Sequence, residues 1–269
     1  MKTETWTFDD GQFAVHTEGS GPPLLLIHGI GPGTSFQANF GAVVPALAAH
    51  RTLFGIDLIG FGASPQKLAP PLFDFALWVR QARAALAHIG APDIEVWGQS
   101  LGAAVALGAS ASTPCVKKII GTGAGGGALA LNPALDRFWT APASAEALRI
   151  AMTAAVYDAS ALTEAQIQTR FDTISRDGRG EYFDAMMAPG KEANLRSCWL
   201  APELLEQVQA RVLLVHGRDD APVPYRDSPL HLLDHLPHAR LVLLSRCGHN
   251  PALERTAEIT ALALDHLLK

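Results

Sequence analysis

Short apolar runs recur along this chain, and their rhythm leaves few fold classes open. In PLLLIH (Pro23–His28) the apolar residues are contiguous rather than alternating, which is the pattern of a strand buried on both faces. RTLFGIDL (Arg51–Leu58), IEVWG (Ile94–Gly98) and VKKIIG (Val116–Gly121) read as further strands. Between them, Phe36–Ala49, Phe73–Ile89 and Leu101–Ser110 have helical spacing, and Gly90 is the stop of the second. Strand–helix alternation of this kind predicts an α/β domain with a mostly parallel central sheet flanked by helices on both faces.

The rhythm changes after about Gly127. From there to Leu205 the pattern is helical and richer in charge, with no strand. Alternation resumes with RVLLVHG (Arg211–Gly217), a helix near Tyr225–Leu236, ARLVLLS (Ala239–Ser245) and a last helix over Pro251–Leu268. The economical organisation is one core domain, residues 1–126 and 206–269, interrupted by an inserted helical cap, residues 127–205. Two consecutive domains would leave the second with too few strands for a sheet of its own.

Composition narrows the partners. Of 269 residues 48% are hydrophobic and 17% charged, so the core is large, and a net charge of −5 without any Lys/Arg block argues against nucleic acid. No run reaches the ~18 apolar residues of a membrane span, and the start, MKTETWTFDDGQ, has no apolar signal region. Three cysteines at unrelated spacings form no disulfide framework. These observations predict a soluble, cytoplasmic globular protein that needs no membrane; neither the chemistry of its motifs nor any ligand cluster implies a metal or organic cofactor, and the expected partner is a small-molecule substrate.

The chemistry lies in three segments. Gly98-Gln99-Ser100-Leu101-Gly102 matches G-x-S-x-G between a strand and a small-residue helix, the context in which a serine is presented at a sharp turn as a nucleophile. A neutral serine needs a base held by a third group, in the chain order Ser, acid, His. His249, in CGHN just past the last strand, supplies the base. The loop after Arg211–Gly217 supplies the acid, with Asp220 preferred on the G-x-x-D-x-x-V-P pattern and Asp219 as the alternative. The backbone amides of Leu101 and Ile30 are the expected oxyanion donors. Three decoys are set aside. Gly121–Gly126 satisfies G-x-G-x-x-G but opens no helix and reads as a hinge. Asp57 and Ser64 read as shaping a turn, and His231 with His235 lack a third metal ligand. The other histidines are expected at the surface or in packing.

With these motifs in place, the chain resembles the α/β-hydrolase superfamily over nearly its full length. Within it, HGIGPGTSFQANF (His28–Phe40), HGRDDAPVPY (His216–Tyr225) and SRCGHN (Ser245–Asn250) are similar to the meta-cleavage product hydrolases. LTEAQIQTRFDTI (Leu162–Ile174) is similar to the stretch in which those enzymes carry a carboxylate-binding arginine, here Arg170. The resemblance implies hydrolysis of a carbon–carbon bond in a vinylogous diketo acid formed by ring-cleaving dioxygenases in aromatic catabolism. It implies Gly31, Asn39, Gln99, Arg170 and Asn250 as substrate-binding residues, and it allows a homo-oligomer, for which the sequence shows no interface. Two positions depart from that family. Asn250 stands where Trp is usual, and Gln99 where Asn is common. GHNPALE (Gly248–Glu254) is closer to the esterases and lactonases of the superfamily, so a carboxylesterase is the alternative activity and a slow ligand-binding receptor the remote one. Dehalogenase and epoxide hydrolase chemistry both want Asp where Ser100 stands.

Overall fold

The computed structural model describes residues 1–269 and contains a single eight-stranded sheet. Its strands are β1 (Lys2–Phe8), β2 (Gly11–Gly19), β3 (Pro23–Ile27), β4 (Thr52–Ile56), β5 (Ile94–Gln99), β6 (Val116–Thr122), β7 (Arg211–Gly217) and β8 (Ala239–Leu244). They lie in the order β1-β2-β4-β3-β5-β6-β7-β8. Strands β3 to β8 pair in parallel, and β1 and β2 extend the sheet antiparallel at one edge.

The contiguous apolar runs have the predicted cause. Successive strand side chains point to opposite faces. Leu25 and Ile27 of β3 join a cluster of 44 buried residues on one face, while Leu24 and Leu26 join a second cluster of 18 on the other. Each such side chain contributes about 1.5–3 kcal/mol on full burial, so any polar replacement in β3 is costly whichever face it takes. Helix Leu101–Ser110 is buried at all ten positions, and its glycines and alanines let it lie close under the sheet.

Four elements differ from the sequence reading. Phe36–Ala49 is two short helices, Phe36–Phe40 and Val44–Ala48, parted by a turn over residues 41–43, with Pro45 in the first turn of the second. The helix expected over Tyr225–Leu236 begins only at Pro229, and Pro251–Leu268 divides at Arg255 into Pro251–Glu254 and Thr256–Leu268. The N-terminal hairpin β1–β2 was not anticipated, although TETWTF alternates along a half-buried strand and Asp9-Asp10-Gly11 is a turn signal.

Between β6 and β7 the chain forms only helices, from Pro133–Phe138 to Pro202–Leu205. Part of this stretch, including Trp139, Phe183, Met186 and Leu195, packs onto the larger core, and Leu148, Leu162, Ile167 and Ile174 form a small cluster of their own. No helix of the structure is long and apolar enough to cross a membrane.

Two decoys take structural roles. Asp57 accepts hydrogen bonds from the amides of Phe36 and Ala63, both at 2.7 Å, and Ser64 Oγ donates to the Asp57 carbonyl while accepting from Ala14 N–H. They fasten the turn after β4, as expected. The Gly121–Gly126 run is followed by no helix before Pro133. His231 and His235 meet edge to face at 4.9 Å between centroids, without a third ligand-type side chain.

Candidate active site

Ser100 stands between β5 and helix Leu101–Ser110 with φ 55° and ψ −123°, a backbone conformation a side-chain-bearing residue adopts only under compulsion. The compulsion comes from close packing on either side. A Cβ at Gly98 would run into Gly102 and Ala103, and one at Gly102 into the carbonyls of Ile27 and His28. The spacing G-x-S-x-G is therefore a steric requirement of the turn, and it leaves Oγ standing over the positive end of a helix.

His249 reaches this serine from the loop after β8. Ser100 Oγ lies 2.9 Å from His249 Nε2, and His249 Nδ1 lies 2.8 Å from Asp220 Oδ2. Asp220 is buried and further held by the Val223 N–H, at 2.8 Å from Oδ1. Asp219 is turned outward, where it accepts from the Arg246 amide, so of the two carboxylates only Asp220 faces the imidazole. His216, expected at the surface or in packing, is buried, and its Nε2 lies 2.7 Å from the Val223 carbonyl and 3.0 Å from Asp220 Oδ2, so that one N–H is shared between the two acceptors. Burial by itself would raise the Asp220 carboxyl. The charge of His249 and hydrogen bonds from both imidazoles outweigh it and hold the group at about 2. Burial pulls His249 down, and the Asp220 charge and hydrogen bond more than reverse that, leaving its pKa above the ordinary value.

The loop after β3 closes on the serine. A Cβ at Gly29 would come within 2.8 Å of Ser100 Cβ, and the Gly29 N–H is tied to Asn39 Oδ1 at 2.8 Å. The amides of Ile30 and Leu101 have no acceptor within the protein, as an anion-binding pair requires.

A cavity opens beside Ser100 and His249, lined among others by Asn39, Phe138, Met152, Arg170 and Asn250. Arg170 enters it from helix Glu164–Ser175. Its Nε donates to the Pro32 carbonyl at 2.9 Å, Nη2 donates to Thr34 Oγ1 at 3.0 Å, and the guanidinium lies over the Phe138 ring. No carboxylate pairs with it, and burial lowers its pKa to about 10. A second, more apolar cavity that also touches Ser100 is walled by Leu135, Trp139, Cys198, Trp199 and Val223.

A family model for the alpha/beta hydrolase fold matches residues 22–256. The chain belongs to that family. Among relatives of this α/β-hydrolase, 2-hydroxymuconate semialdehyde hydrolase of Pseudomonas sp. (strain CF600) is 28% identical over 254 residues, covering 94% of this chain and 89% of the relative. The 2-hydroxy-6-oxo-6-phenylhexa-2,4-dienoate hydrolase of Comamonas testosteroni is 31% identical, covering 96% and 93%. The solved structure of the enzyme of that same name from Rhodococcus sp. strain RHA1 superposes with a TM-score of 0.88 at 27% identity, covering 100% of this chain and 99% of that one.

The structure brings most of the expected site residues of the α/β-hydrolase together, with two corrections. Gln99 lines the cavity, but its amide is engaged in the scaffold: Oε1 accepts from Thr122 Oγ1 at 2.6 Å and Nε2 donates to the His249 carbonyl at 2.8 Å. It holds the histidine loop rather than offering free atoms to a substrate. Gly31 is buried against the Phe138 ring and the Arg170 guanidinium and does not line either cavity. Thr34, Phe138, Met152 and Leu253 line the site without having been anticipated. Phe138, Met152 and Leu253 sit on helices, where an apolar side chain carries no local mark of which cavity it faces, and Thr34 lies in the loop after β3.

Proposed function

We propose that this α/β-hydrolase cleaves the C5–C6 bond of a 2-hydroxy-6-oxo-dienoate, a meta-cleavage product of aromatic degradation, with Ser100, His249 and Asp220 as its catalytic triad. The observation that carries the reading is Arg170, a partly buried cation without a counter-ion in the same cavity as Ser100. Such a cation is costly until a carboxylate arrives, and small neutral esters bring none. The names of the relatives support the same substrate class.

The chemistry follows from the geometry. Ketonisation moves the substrate's 2-hydroxyl proton to C5, giving a 2,6-diketone. His249 then takes the Ser100 proton as the oxygen adds to C6, and Asp220 stabilises the imidazolium. The amides of Ile30 and Leu101 receive the developing oxyanion, and Asn39 keeps their loop in place through Gly29. Collapse breaks C5–C6, the electron pair passes into the conjugated 2-ketone, and the proton held by the His249 imidazolium neutralises the resulting dienolate oxygen, giving a 2-hydroxydienoate and returning His249 to its neutral form. Water, deprotonated by His249, releases the acyl group as a carboxylic acid. Residues 127–205 act as a cap over a core of residues 1–126 and 206–269, and the apolar cavity takes the substituent on C6. Three unpaired cysteines, two of them buried, support a reducing compartment such as the cytoplasm.

The test is a comparison of kcat/KM for a yellow 2-hydroxy-6-oxo-dienoate and for p-nitrophenyl acetate, with product identification. Preferential bleaching of the dienoate with release of one carboxylic acid supports the reading. Ester cleavage without bleaching moves the protein to the carboxylesterases.

A further inference from the structure

Two amide side chains line the cavity beside Ser100, and the protein treats them differently. Gln99 is engaged at both ends of its amide. Asn250 makes no side-chain hydrogen bond within the protein, and its Oδ1 is buried without a donor. The residue cannot easily withdraw. Its carbonyl accepts the amides of Leu253 and Glu254, Pro251 follows it, and the preceding His249 amide is fixed to the Ala155 carbonyl at 2.7 Å. An orphaned carbonyl oxygen on a side chain that lines a ligand cavity is destabilising in the empty protein and is relieved when a ligand brings a donor to it.

We propose that Asn250 is a specificity-determining residue whose Oδ1 accepts a hydrogen bond from the 2-hydroxyl of the substrate. The assignment rests on the function proposed above. In a 2-hydroxy-6-oxo-dienoate the carboxylate and the C6 ketone are acceptors only, and the enol hydroxyl is the one donor. That hydroxyl sits on the carbon next to the carboxylate, so a carboxylate on Arg170 delivers it into the cavity that Arg170 and Asn250 share. The 2-keto tautomer has no such donor. Asn250 therefore selects the dienol at binding, and it rejects keto acids and esters of similar size by leaving its own oxygen unpaired.

Binding in the Ser100→Ala background, where the ligand survives, tests this. The ligands are 2-hydroxy-6-oxohepta-2,4-dienoate and its analogue without the hydroxyl, 6-oxohepta-2,4-dienoate, each titrated against proteins with and without Asn250→Leu. Removing the hydroxyl should weaken binding about tenfold when Asn250 is present and leave it nearly unchanged in the Asn250→Leu variant. An equal loss in both proteins overturns the proposal, as does equal affinity of the two ligands for the Ser100→Ala protein alone, a comparison that needs no folding of the second variant. The two levels of the argument separate. Bleaching of the hydroxy acid by the wild type without this coupling removes the role of Asn250 only, whereas failure to bleach it removes the proposed function and this assignment together.

Discussion

Replacing Arg170 by methionine keeps much of the side chain's length and removes its charge, and the structure sets the size of the effect. Burial alone takes the guanidinium from 12.5 to about 10. At 1.36 kcal/mol per tenfold of proton affinity, that is a solvation loss of about 3 kcal/mol, which an arriving carboxylate restores. A direct estimate agrees, since unit charges 4 Å apart attract by about 4 kcal/mol at an effective dielectric of 20. Some of this is given back, because Nε and Nη2 are already committed to Pro32 and Thr34. A net loss of about 3 kcal/mol corresponds to roughly a hundredfold in kcat/KM. The assay is the ratio of kcat/KM for a 2-hydroxy-6-oxo-dienoate to that for p-nitrophenyl acetate. The ratio cancels any general disturbance of the triad, and it should fall about a hundredfold in Arg170→Met. An unchanged ratio would refute the claim that this cation is held for a carboxylate.

Two further outcomes follow from the same geometry. The base is active only when neutral, and Asp220 holds His249 above its ordinary 6.5, so activity should fall as pH drops through a value above 6.5. Asp220→Asn should move that acid limb to lower pH while cutting kcat by about 10⁴; an acid limb that stays put would assign it to another group. Gln99→Leu leaves the His249 carbonyl without a donor and the Thr122 hydroxyl without its acceptor, although that oxygen still accepts from Trp97 Nε1, at about 1–3 kcal/mol for each lost partner. Thermal unfolding should come several degrees lower, with kcat reduced as His249 loses its anchor, and an unaltered melting temperature would count against the scaffold role.

What the sequence discloses here depends on the range of the interaction. The turn at Ser100 is local, set by Gly98 and Gly102 within five residues, and it was legible. So was the order Ser100, Asp220, His249, because each follows a strand and strand ends on one side of a parallel sheet converge. The choice of Asp220 over Asp219 came from a pattern, whereas its physical ground is the 2.8 Å contact with His249, which only the fold displays. The second imidazole on Asp220, from His216, lies only four residues away in the chain, but the turn after β7 that brings the two together has no pattern marking His216 as its partner. The breaks at Gly41 and Arg255 show tertiary packing overriding a helical period. The β1–β2 hairpin, by contrast, was signalled by alternation and a turn, and a period-2 scan of the first twenty residues would have found it.

The most direct test of the account is the rate at which purified wild type and Ser100→Ala bleach a yellow 2-hydroxy-6-oxo-dienoate. The account predicts rapid bleaching with one equivalent of carboxylic acid formed by the wild type, and a loss of at least about 10³-fold in turnover for the variant. Turnover that survives in Ser100→Ala would contradict the central claim that this serine, driven by His249 and Asp220, carries out the cleavage.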